Sequence, residues 1–76
     1  MDFTTTIEDA TKRTILGNAI SRREEQIWSD SWYIGIDPDD LPNDYTAPAE
    51  DPSPGETDME ASLAVLAELK TQLAAL

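Results

Sequence analysis

Residues 57–76, TDMEASLAVLAELKTQLAAL, decide the fold. Met59, Ser62, Leu66, Leu69, Leu73 and Leu76 follow one another at steps of 3, 4, 3, 4 and 3, the spacing of an apolar seam along a helix with one small polar residue in it. Leu63, Ala67 and Ala74 widen the stripe, while Glu60, Glu68, Lys70 and Gln72 lie off it. Thr57 and Glu60 have the spacing of a capping box, in which each side chain satisfies a backbone N–H that the first turn leaves free. Pro54 and Gly55 read as a stop for whatever precedes. The pattern predicts a helix over about 58–76. Its greasy stripe must be covered by the rest of the chain or by a neighbour.

A second helix is predicted at the other end, over about 6–28, ending between Trp28 and Tyr33. Thr5 and Glu8 offer another capping box, and Glu8 to Lys12 and Asp9 to Arg13 are acid-first i,i+4 pairs that support a helix. Gly17 and Asn18 weaken its middle. Leu16, Ile20 and Ile27 share a stripe, but Arg23 stands where the stripe should continue. That arginine is expected to snorkel out of the seam or to meet an acid from another chain. The first helix can cover part of the leucine stripe as an antiparallel hairpin, and the remainder is expected to face another chain.

Between the helices, the stretch from Trp28 to Ile36 is the only aromatic-rich segment. Trp32, Ile34 and Ile36 alternate with Tyr33 and Gly35, which fits a short strand with one apolar face. Two uses of this segment are open. It can extend the first helix by a turn and pack back on the hairpin, or it can add to the edge of a partner's sheet. The run that follows holds all five prolines, and the segment from Asp30 to Asp58 carries nine acids and no base. Such a composition predicts a connector that stays unfolded on its own. Three segments result: an N-terminal helix and aromatic turn, 1–33; an acidic, proline-rich connector, 34–56; and a C-terminal Leu/Ala helix, 57–76. The fold class is mainly α, two helices as a hairpin or a partner-docked pair.

Composition narrows the chemistry. The chain of 76 residues has 16 acidic and 5 basic side chains, a net charge of −11, and neither His nor Cys. Disulfides, imidazole or thiolate metal sites, a Cys nucleophile and a His general base are therefore excluded. Asp37, Asp39 and Asp40 suggest a calcium loop, but Pro42 stands where the turn needs glycine and Pro48 where a bidentate glutamate is required. Gly17, Gly35 and Gly55 are isolated and build no phosphate cradle. No catalytic residue, metal site or cofactor is expected. No basic n-region or apolar h-region follows Met1-Asp2-Phe3, so a secretory signal is not expected and the mature chain is expected to start there. The longest apolar run, Leu63 to Ala67, is far below the roughly 20 residues that cross a bilayer.

The charge also sorts partners. Direct binding to nucleic acid or to an anionic membrane is not expected, since both depend on cations. The Arg22-Arg23 pair, with Lys12 and Arg13, is neutralised by Glu8, Asp9, Glu24 and Glu25. Expected partners are proteins with apolar or basic surfaces, a second copy of the chain among them. The residues expected to meet them are Trp28, Trp32, Tyr33 and Ile34 in the aromatic stretch and Met59, Leu66, Leu69, Leu73 and Leu76 in the seam. Two functions fit. One is a non-enzymatic structural or adaptor subunit that docks by these residues. The other is a small acidic inhibitor that mimics nucleic acid and blocks a basic cleft, which would hold its carboxylates in rigid rows rather than in a proline-broken connector. A salt-rich habitat would also explain the acidity as mere solubility.

The layout, with Thr5-Thr6-Ile7-Glu8-Asp9-Ala10-Thr11-Lys12-Arg13 opening a capped helix, then an aromatic turn and a C-terminal Leu/Ala helix, resembles the small helical-hairpin proteins encoded by tailed bacteriophages. The resemblance covers the two helices and not the connector from Asp37 to Glu56. It implies a minor virion component or assembly accessory present in many copies, placed in the virion or otherwise in the cytoplasm.

Overall fold

A computed structural model describes residues 6–76. It holds two helices, α1 (Asp9–Tyr33) and α2 (Pro54–Ala74), with one short 3-10 turn, Pro38–Asp40, between them. Among the described residues there is no strand. The helices run antiparallel. Arg13, near the start of α1, donates from Nη2 to the backbone oxygen of Leu76 at 2.9 Å, while Arg23 lies against Ser62 and Ile34 against Gly55. Contact with Leu76 places a cation at the negative end of α2, where free carbonyls and the helix dipole both favour it.

Both predicted helix starts shift. Helix α2 opens one turn before the expected cap: Ser53 Oγ accepts from the Glu56 N–H at 3.2 Å and Glu56 Oε1 accepts from the Ser53 N–H at 3.1 Å. Pro54 is then the first helical residue rather than a stop, since its fixed φ suits that position and its missing N–H is not needed there. Thr57 and Glu60, the expected cap pair, lie inside the helix, and the Thr57 N–H already bonds to the Ser53 carbonyl. Helix α1 starts at Asp9 with Glu8 as N-cap and no side-chain cap bond. Thr5 lies outside the described residues. The expected i,i+4 pairs are replaced too: Lys12 meets Asp9 at 3.9 Å, and Arg13 reaches across the hairpin instead.

The aromatic stretch does not form a strand. Helix α1 runs through Trp28 and Trp32 to Tyr33 and ends in a Schellman motif. The Ile36 N–H bonds to the Ser31 carbonyl at 3.0 Å, the Gly35 N–H to the Trp32 carbonyl at 3.2 Å, and Gly35 takes a φ of 77°, the left-handed conformation open to glycine. Ser31, fully buried, adds a third tie by donating from Oγ to the Ile36 carbonyl at 2.9 Å. The chain is thereby turned back on the hairpin, and Ile34 packs against the core, close to Gly55.

The connector is built from turns rather than left loose. Asp37 Oδ1 accepts from the Asp39 N–H at 3.0 Å, Pro38 opens the 3-10 turn, and the Tyr45 N–H bonds to the Pro42 carbonyl. Glu56 and Glu60 of α2 then hold it. Glu60 Oε2 accepts from the Ala47 N–H at 2.8 Å, and the Tyr45 hydroxyl donates to Glu56 Oε2 at 3.5 Å.

The core sits at the closed end. Ile27, Met59, Leu63 and Leu66 are buried, with Ile20, Ile34, Leu41 and Tyr45 packed around them. The molecule is elongated, 45 × 23 × 16 Å, with a radius of gyration of 14.9 Å against about 11 Å expected for a compact domain of this length. A thin pair of helices has much surface for its volume, so burial fades toward the open end.

Candidate docking surface

The structure divides the nine residues expected to meet a partner into three groups. Trp28, Trp32 and Tyr33 are exposed, at 58%, 53% and 86%. Leu69, Leu73 and Leu76 are half-buried, as is Ile34. Met59 and Leu66, at 1% and 8%, are covered by the chain itself.

The exposed group is held in place by helix geometry. Trp28 and Trp32 are four residues apart and so share a face of α1. Their rings meet edge to face, with centroids 5.8 Å apart and planes at 76°, an arrangement that aromatic quadrupoles favour. Tyr33 is the last helical residue, and the reversal at Gly35 carries the chain away from it. These aromatics stand out in the sequence, but the alternation of Trp32, Ile34 and Ile36 fits a strand that is not formed. Gly35 followed by an apolar residue and then by Pro38 was the signal for a helix stop with a left-handed cap.

Two acids border the same face. Glu24 and Glu25 line a shallow recess with Trp28, and neither carboxylate has a hydrogen bond or ion pair among the described residues. A groove that shares Glu24 and Trp28 with this recess runs between α1, the connector and α2, floored by Ile27, Leu41, Leu63 and Leu66, with Lys70 at its edge. Leu41 and Tyr45, not among the residues expected to matter, are what attach the connector to the core. Their spacing of four, as the large apolar residues of an otherwise polar run, was the available sign.

At the open end, Ile7, Ile15, Leu16 and Leu76 surround a hollow, and Ile15 is 53% exposed. The leucine seam thus passes from buried at Met59, Leu63 and Leu66 to half-covered at Leu69, Leu73 and Leu76.

Electrostatics in the connector are local. The Glu56 carboxyl is held below the ordinary carboxylate range, first by the backbone N–H of Ser53 and then by its hydroxyl. Removal from water and the neighbouring Glu56 charge push the Tyr45 phenol up. Among the described residues no group of three or more acids is placed to hold a metal ion, and no helix is long and apolar enough to cross a membrane. Comparison with known proteins finds no matching family model, no matching curated protein and no matching solved structure.

Proposed function

We propose that the chain is a non-enzymatic structural or adaptor subunit of a larger assembly, docking through Trp28, Trp32 and Tyr33 at the C-terminal end of α1. The half-covered leucines Leu69, Leu73 and Leu76 form a second contact at the opposite end. The observation that carries this reading is the exposure of three large aromatics on one six-residue stretch of a helix that has a core to bury them in. Aromatics concentrate binding energy in interfaces, and a fixed edge-to-face pair loses little freedom when a partner covers it. In this reading Met59, Leu66 and Ile34 hold the hairpin together rather than touch the partner. The phage resemblance gives the reading its most concrete form, a minor virion component present in many copies.

The competing reading, an acidic mimic of nucleic acid, puts the binding energy in the connector's carboxylates. Those lie in turns and irregular chain between Asp37 and Asp51, not in rows along a helix face. Co-purification of the tagged chain from its source at rising salt separates the two. Apolar docking survives salt and is lost in Trp28→Ala, whereas mimicry falls steeply with salt and is lost when Asp39, Asp40 and Asp44 become Asn.

A further inference from the structure

We infer that the recess formed by Trp28, Glu24 and Glu25 is a subsite for a cationic side chain, an arginine before a lysine, presented by a basic segment of a partner protein. This rests on the docking reading above and names the chemistry of its partner.

Three observations converge on it. The indole of Trp28 is 58% exposed and packs edge to face on Trp32, so much of its ring is offered to solvent. Glu24 and Glu25 share the recess, and their carboxylates are unpaired among the described residues. Two of the chain's three arginines are engaged elsewhere: Arg23 turns toward Gln26 and Ser62, and Arg13 caps α2. Arg22, beside the recess on α1, and Lys70, across the neighbouring groove, make no ion pair with Glu24 or Glu25. An aromatic ring flanked by free carboxylates attracts a cation through the ring quadrupole and the charges together. A guanidinium suits this better than an ammonium, being planar, weakly hydrated and able to stack while donating to a carboxylate. The net charge of the chain, −11, disfavours an anionic occupant and steers a basic one toward it.

The test is an NMR titration of the intact chain with the capped peptide Gly-Arg-Gly-Arg-Gly and with its citrulline twin, which keeps shape and loses charge. The arginine peptide should shift the Trp28 indole N–H and the amides of Glu24 and Glu25, and the citrulline peptide should not. Trp28→Leu, and Glu24→Gln with Glu25→Gln, should each weaken binding roughly 2- to 5-fold or more. Asp39→Asn with Asp40→Asn, the same charge change in the connector, should have a smaller effect. Shifts spread over Asp37 to Asp44, or equal weakening by the connector pair, would show diffuse attraction to an acidic chain and overturn the subsite. If Trp28→Leu abolishes co-purification with the partner while the arginine peptide ignores Trp28, the cationic occupant is wrong and aromatic docking stands. If the peptide seats on Trp28 but Trp28→Ala leaves co-purification intact, the subsite stands and the docking reading is wrong.

Discussion

Arg23 donates from Nη1 to the Ser62 hydroxyl at 3.4 Å, across the interface of α1 and α2. Each of these residues interrupts the apolar stripe of its own helix, and the antiparallel pairing sets the two interruptions against each other. The guanidinium also donates to Gln26 Oε1 at 3.4 Å, so its head stays at the edge while its stem crosses apolar surface. A misfit in either helix alone is a match in the pair. The two polar residues therefore favour this alignment of α1 on α2 over a slip by one turn, which would set Arg23 against a leucine.

Arg23→Leu alone should cost about 0.5–1 kcal/mol, because the buried Ser62 hydroxyl loses its partner across the interface. Adding Ser62→Ala should restore stability to that of the unaltered chain or above it, since two apolar groups replace the pair. Urea denaturation of the two single variants and the double variant reads the coupling. Strict additivity would mean that the contact does not contribute.

Substitution at two glycines should move stability in opposite directions. Gly35→Ala forces a side chain into the left-handed cap and should cost about 1–2 kcal/mol. Gly17 lies inside α1 with open space where a Cβ would go, so Gly17→Ala should add about 0.8–1 kcal/mol through helix propensity alone. Thermal melts should show shifts of roughly 4–8 °C per kcal/mol, down for the first and up for the second.

The pH dependence follows from two groups. Glu56 has its folded pKa lowered, so the stability it contributes is present above its unfolded value, near 4.5, and is lost as pH falls through the lower folded value. Tyr45 has its folded pKa raised, so its contribution is complete below pH 10 and is lost as pH rises through the higher folded value. Glu56→Gln keeps a side chain able to cap while removing the titration. The difference between its stability curve and that of the unaltered chain should be flat from about pH 6 to 9 and change below about pH 4.5.

Core and rim leucines should respond differently. Leu66→Ala, at the buried end of the seam, should cost about 2–4 kcal/mol and unfold much of the population. Leu73→Ala, half-covered near the open end, should cost less than about 1.5 kcal/mol. Leu73→Asp should leave the isolated chain folded and remove it from the assembly, because a partner would have to bury an unpaired charge. Retention of Leu73→Asp in the assembly would show that this end is free.

Trp28→Ala and Trp32→Ala should change stability by less than about 1 kcal/mol, given their exposure, and weaken docking by about 2 kcal/mol or more, roughly 30-fold. Calorimetry with the purified partner measures the second effect and circular dichroism melts the first.

Two helices and the leucine seam were legible in the sequence because a 3, 4 spacing of leucines has one reading, while the choice between a hairpin and a partner-docked pair was open until the structure set the helices antiparallel. The cap of α2 was missed because Ser53-Glu56 and Thr57-Glu60 are the same signal one turn apart, and the preference of Pro54 for the first helical position decides between them. The aromatic stretch looked like a strand because Trp32, Ile34 and Ile36 alternate, yet that alternation spans a helix end at Tyr33 and a glycine reversal. Leu41 and Tyr45 were hidden by their surroundings, since an acidic, proline-rich composition says nothing of turns whose bonds come from α2. Of the candidate docking surface, the exposed aromatics were named from sequence. That Met59 and Leu66 are spent inside the hairpin depends on which part of α1 lies against them, a matter of pairing rather than pattern.

Amide hydrogen exchange of the isolated chain reads the uneven closure of the hairpin residue by residue. Slow exchange should be confined to the closed end, around Ile27 to Ser31 and Met59 to Leu66, while Ala10 to Leu16 and Thr71 to Leu76 exchange fast until a partner is added. Equal protection along the full length of both helices in the isolated chain would contradict this, because a hairpin that closes its own seam has no open leucines for a neighbour to cover.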